Sequence, residues 1–181
     1  MVKVQWHSLR NNSHLPLAFA YALGLGIRLY LATQAPSNST DLLRHVGFGK
    51  EFWHHSLSIY NYAPRDFGDA PYAALWPNQH YIYPAISMFF FAFLAALWPS
   101  LFFPRLVLTL IELANGLLMA RLSHNRWFGL AYFLNPVSMW WYSHEGQYEP
   151  VVALLTLLSL LYLARRSVWG YAWLGLGIQA K

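Results

Sequence analysis

Six apolar runs divide the chain, at residues 15–33, 82–98, 104–122, 127–142, 150–164 and 168–180. About 20 mostly apolar residues suffice to cross a bilayer as a helix, so the pattern predicts an all-α, polytopic membrane protein. The stretch from 34 to 80 departs from this pattern, being polar and aromatic and punctuated by Pro36, Pro64, Pro71 and Pro77. Within it, Leu42, Val46, Trp53 and Leu57 recur at roughly helical spacing and predict an interfacial amphipathic helix over 41–60. Gly47 and Gly49 work against that helix. Asn135-Pro136 lies inside the fourth run, where the proline removes a backbone donor and predicts a kink.

The positions of the basic residues decide how many runs cross. Lys3 and Arg10 precede the first run, which carries Arg28 and no clean small-residue cleavage site. It reads as a spanning helix that starts in the cytoplasm, not as a cleaved signal. Were all six runs to cross in alternation, the Arg121/Arg126 and Arg165/Arg166 ends would lie outside, against the positive-inside rule. If 82–98 dips in without crossing, both pairs become cytoplasmic. Residues 34–104 then form one large external segment, and loop 143–150 is external as well. We adopt this second arrangement.

Composition agrees with a membrane protein: 57% of residues are apolar and 10% charged, against roughly 25% charged in soluble domains. The net charge of +5 comes from basic residues scattered around apolar runs. It marks topology and argues against nucleic acid as a partner. The chain has no cysteine, which excludes a disulfide framework and a thiol nucleophile.

Several polar residues need a reason. Asp41 follows the first run, with Arg44 and His45 on its face if the segment is helical. Two readings stand: an interfacial carboxylate paired with Arg44, or a general base facing a membrane-surface cleft. Glu112 sits inside an apolar run, where a carboxylate costs roughly 2.5–3.5 kcal/mol. It is expected to face the bundle interior and to bond Asn115, three residues on. The sequence SHEGQYEP (143–150) gathers His144, Glu145, Gln147 and Glu149 between two apolar runs, as a polar loop or as a binding motif. The histidines, including His54-His55, form no spaced metal motif. Glycosylation sequons start at Asn11 and Asn38, a pattern short enough to arise by chance.

Taken in order, these pieces resemble the GT-C glycosyltransferases, polytopic enzymes that use polyprenyl-phosphate-linked sugars. The parallel is closest to lipid-linked mannosyl- and glucosyltransferases, including the type that adds the first mannose in GPI-anchor assembly. TDLLRHVGFGKEFW with Asp41 looks like the family's acidic residue and juxtamembrane helix, and YIYPAIS (81–87) approximates its YPP-type motif. LTLIELANGLL with Glu112, LNPVSMWWYSHEGQYEP and the closing GLGIQAK follow in the family's order.

The resemblance covers nearly the whole chain, 1–181, as one module, and implies that 34–104 carries external juxtamembrane helices. It also implies an inverting transfer in which Asp41 deprotonates the acceptor. His144, Glu145, Gln147 and Glu149 would bind substrate or hold a divalent cation (Mg or Mn). Lys181, and Arg28 or Arg44, would neutralise the leaving phosphate. The implied location is the plasma (inner) membrane of a prokaryote or the endoplasmic reticulum of a eukaryote. Asp41 stands alone where some members carry paired acids, with Ser39 two positions before it. The chain also ends where members continue, which implies a fragment or a split enzyme completed by a second polypeptide. Two rivals remain: a transporter or lipid-carrier flippase centred on Glu112 and Asn115, and a non-catalytic membrane subunit.

Overall fold

The structure is a computed structural model that describes residues 14–36, 40–68 and 77–180. Those residues form helices and turns, with no strand among them. Helix α1 is His14–Thr33, α2 Thr40–His55, α3 Ala85–Leu97, α4 Phe102–Leu122 and α5 Arg126–Phe133. A short turn, Pro136–Ser138, runs into a π-helical stretch, Met139–His144, and together they are α6. Helices α7 (Glu149–Ala164) and α8 (Trp169–Gln179) complete the bundle.

Two helices, over Leu15–Thr33 and Phe102–Leu122, are long and apolar enough to cross a membrane. At 1.5 Å per residue each reaches about 30 Å, the thickness of a bilayer's hydrocarbon core. A third candidate is the pair formed by α6 and α7, bent by 117° at its break. Helix α3 has 13 residues, about 20 Å at the same rise, and is too short to cross alone. The run expected as one helix over 127–142 is instead two pieces. Asn135 leaves the helical conformation (φ −59°, ψ 118°) and its side chain caps the Val137 N–H, so a new helix starts at Pro136.

Helix α2 forms despite its glycines, and one of them explains why. A Cβ at Gly49 would lie 2.8 Å from the Phe91 backbone, so its absence lets α3 pack directly on α2. The amphipathic face differs from the expected one. Leu42 and Val46 are buried, whereas Trp53 and Leu57 are exposed. The helix ends at His55, so Leu57 falls in the following 3₁₀ turn, Ser56–Asn61. Phe48 and Phe52 are the buried residues instead, with Ile59, Tyr81, Met88 and Ala92. A second cluster joins Leu42, Val46 and Phe91 to Leu108, Tyr148, Val151, Leu155 and Ala180. Through it the α2–α3 hairpin is anchored on the start of α4 and on α7.

Candidate functional site

Asp41 occupies the first turn of α2, where a carboxylate is favoured by the exposed N–H groups of the helix. Its side chain is 30% exposed and lies 3.5 Å from the Arg44 guanidinium. A second partner comes from 106 residues away, since the Gln147 side-chain amide donates to Asp41 Oδ2 at 3.5 Å. A third neighbour is Tyr83, whose phenol lies near the same carboxylate. Burial, and then the nearby Asp41 carboxylate, pushes the Tyr83 phenol up to about 12. It therefore remains a neutral donor across the physiological range.

The turn after α6 delivers Gln147. Gly146 has a φ of 76°, a left-handed conformation that glycine adopts without a Cβ penalty. The Gln147 N–H bonds the Trp141 carbonyl at 3.0 Å, and Tyr148 packs beside Phe90 and Phe91 in the core. Trp141, Tyr142, Gln147 and Glu149 line an open cleft of about 340 Å³. Gln147 thus lines the cleft beside Glu149, with Trp141 and Tyr142 as aromatic walls, and its amide also reaches Asp41 at the start of α2. A carboxylate beside an amide and two aromatic faces suits a ligand rich in hydroxyl groups.

Other predicted site residues are placed differently. His144 and Glu145 are buried and bond each other at 2.9 Å, and the His144 ring stacks on Trp140. A carboxylate at 1% exposure needs its partners inside the protein, so neither residue faces the cleft as a surface ligand. Arg44 is also buried, held between Asp41 and the Tyr83 ring. Arg28 is fully buried and saturated with protein acceptors, which removes it as a phosphate ligand. Lys181 lies outside the described residues. Glu112 is fully buried as expected and accepts from Asn115 at 3.2 Å and from the Tyr132 hydroxyl at 2.8 Å.

Among the described residues, no three of His, Cys, Asp and Glu converge on a point that could hold a metal ion. Asp41 and Glu149 alone are too few for a protein-only cage.

Two residues escaped the sequence reading. Arg105 is buried and donates to the Gln34 and His144 carbonyls at 2.6 and 3.1 Å, tying together the ends of α1 and α6 and the start of α4. It gave no signal beyond being a lone cation in an apolar run. Tyr83 had one. In an extended YIY the two tyrosines share a side, and their rings lie 5.4 Å apart.

His45, expected beside Asp41 and Arg44, turns inward. It stacks on Phe91 with centroids 4.2 Å apart and bonds the Tyr81 hydroxyl at 2.8 Å. Burial pushes its imidazole down to about 3, from 6.5. Between those values the unfolded chain binds a proton that the folded chain does not, so stability falls as pH drops through that window. Each pH unit is worth about 1.4 kcal/mol, so acidification from about 6.5 to 4.5 should cost up to ~3 kcal/mol through this group. His45→Phe keeps the stack and removes the titration. Thermal unfolding of the variant should therefore lose less between those two pH values, and an unchanged acid limb would clear His45 of the effect.

No family model, curated protein or solved structure matches this chain.

Proposed function

We propose that this chain is a membrane-embedded glycosyltransferase module of the GT-C kind. The observation that supports the reading best is the contact of Asp41 with Gln147, which brings the start of α2 to the loop before α7 at one cleft. In this reading α1, α4 and the broken segments after it lie in the bilayer. The cleft then opens at the external or lumenal face, where a polyprenyl carrier presents its phosphate-linked sugar. The membrane is the plasma membrane in a prokaryote or the endoplasmic reticulum in a eukaryote.

An acceptor hydroxyl attacks the anomeric carbon, and the Asp41 carboxylate takes the hydroxyl proton as the new C–O bond forms. The bond from the anomeric carbon to the phosphate oxygen breaks, and polyprenyl phosphate leaves with the electron pair. Attack opposite the leaving group inverts the anomeric centre. Gln147 donates a hydrogen bond to Asp41 and orients the carboxylate, with the neutral Tyr83 phenol beside it. Glu149 accepts from substrate hydroxyls, and Trp141 and Tyr142 pack on the sugar ring.

The test is transfer itself. Membranes from the source cells, which hold the chain together with any second polypeptide that completes it, are given polyprenyl-phosphate donors carrying radiolabelled mannose or glucose. Label should move to an acceptor, above membranes lacking the chain, for at least one donor. Equal label in both membranes for every donor would count against glycosyl transfer.

A further inference from the structure

We infer that Arg28 is a positioning residue for the cleft, acting as the substitute donor at a broken helix. The break is at Asn135-Pro136. In a continuous helix the Val137 N–H would bond the Phe133 carbonyl, but here it bonds Asn135 Oδ1 at 2.9 Å. The Phe133 carbonyl is left needing a donor, and a buried carbonyl without one is costly.

Arg28 reaches it from α1. Its Nε and Nη2 donate to the Phe133 carbonyl at 3.1 and 2.7 Å. The same guanidinium donates across the break, to Ser138 Oγ at 2.6 Å, to the Ser138 carbonyl at 3.3 Å and to Ser143 Oγ at 3.1 Å. One rigid fork therefore joins both sides of the interruption, with the Phe133 ring 4.7 Å beneath it. Glu112 provides the counter-charge at 3.5 Å, a longer contact than any of the others. The guanidinium is seated for the broken segment first and for the acid second.

Ser138 and Ser143 bracket Trp141 and Tyr142, two walls of the cleft, and the Trp141 carbonyl receives the Gln147 N–H. Fixing 138 and 143 against α1 therefore fixes where Gln147 stands relative to Asp41. Lysine would preserve the charge opposite Glu112. It offers a single point of donation and cannot bridge acceptors on both sides of the break.

The chain has no cysteine of its own. In an Asp41→Cys/Gln147→Cys protein, the two thiols replace side chains that meet in the structure. Their rate of cross-linking by a short bifunctional thiol reagent reports the register of the cleft, because the reagent couples only thiols that lie within its span. Adding Arg28→Lys should lower that rate several-fold while the yield of monodisperse, helical protein holds. Cross-linking at the parent rate would overturn the inference. If the lysine variant does not fold, Arg28→Gln with Glu112→Gln removes both buried charges together and is read in the same way. Failure of both to fold would make Arg28 a stability residue only, and would also overturn it.

This inference rests on contacts, and the proposed reaction enters only through a second arm. In the chain with native Asp41 and Gln147, Arg28→Lys should slow transfer by up to about 100-fold, the scale of a misplacement near 1 Å. Absence of transfer in the parent would count against the proposed reaction, and cross-linking would still decide the role of Arg28.

Discussion

Asp41→Asn is expected to lower sugar transfer by about 10²–10⁴, the usual worth of a general base, with little change in donor binding. The amide keeps the size of the carboxylate and still accepts from Gln147, but it cannot take the acceptor proton. The informative comparison is with Glu112→Gln. Glu112 is fully buried among Arg28, Tyr132 and Asn115. Neutralising it leaves the Arg28 cation without its counter-charge, a loss on the order of 3–5 kcal/mol for a buried pair. That variant should give less folded protein, with turnover per folded molecule preserved. A transporter centred on the intramembrane acid requires the opposite: Glu112→Gln abolishing function and Asp41→Asn nearly silent. Measuring transfer per mole of folded protein for both variants separates the two, and the inverse pattern would end the glycosyltransferase assignment.

Gly129→Val should prevent normal assembly of the bundle. Helices α4 and α5 meet backbone to backbone at this position. A Cβ on Gly129 would fall inside contact distance of the Gly116 carbonyl oxygen, 2.6 Å from the Ala120 Cβ and 2.8 Å from the Ala120 nitrogen. The obstacle is mostly backbone and cannot rotate away, so the cost should exceed the roughly 1–3 kcal/mol typical of overpacking. Separating the two helices would also move Phe133, the first acceptor of Arg28. Gly26 provides the control, since a Cβ there meets nothing within 4 Å. Gly26→Ala should be neutral or slightly stabilising, by up to about 1 kcal/mol from helix propensity. The two variants should differ sharply in yield and in unfolding temperature after detergent extraction. Equal behaviour would mean that α4 and α5 are not in close contact.

Much of the helical order was legible because apolar runs leave few alternatives. A long apolar stretch satisfies its backbone only as a helix when little water can reach it, and 15–33 and 104–122 became α1 and α4 within a few residues. The pairing of Glu112 with Asn115 was legible too, since three residues along a helix is contact distance. The interruption at Asn135-Pro136 was readable from the chemistry of proline. Its consequence was not, because the donor that relieves the break lies 105 residues away on α1.

Distance along the chain separates what the sequence by itself determined from what only the tertiary structure decided. Local rules act over a few residues, and they determined an all-helical chain, the position of Asp41 at a helix start and the cost of burying Glu112. Packing decided that His144 and Glu145 turn inward while Gln147 and Glu149 face the cleft, although the four lie within six consecutive positions. It also decided that Gly49, unfavourable for a helix in isolation, is where α3 can approach, and that Arg28 serves a broken helix and not a phosphate. In each case the deciding partner is remote in sequence: Arg105 at the His144 carbonyl, the Phe91 backbone at Gly49, the Phe133 carbonyl at Arg28. Such partners leave no periodic trace, because a buried polar group is satisfied by whichever acceptor or donor the fold brings within about 3 Å.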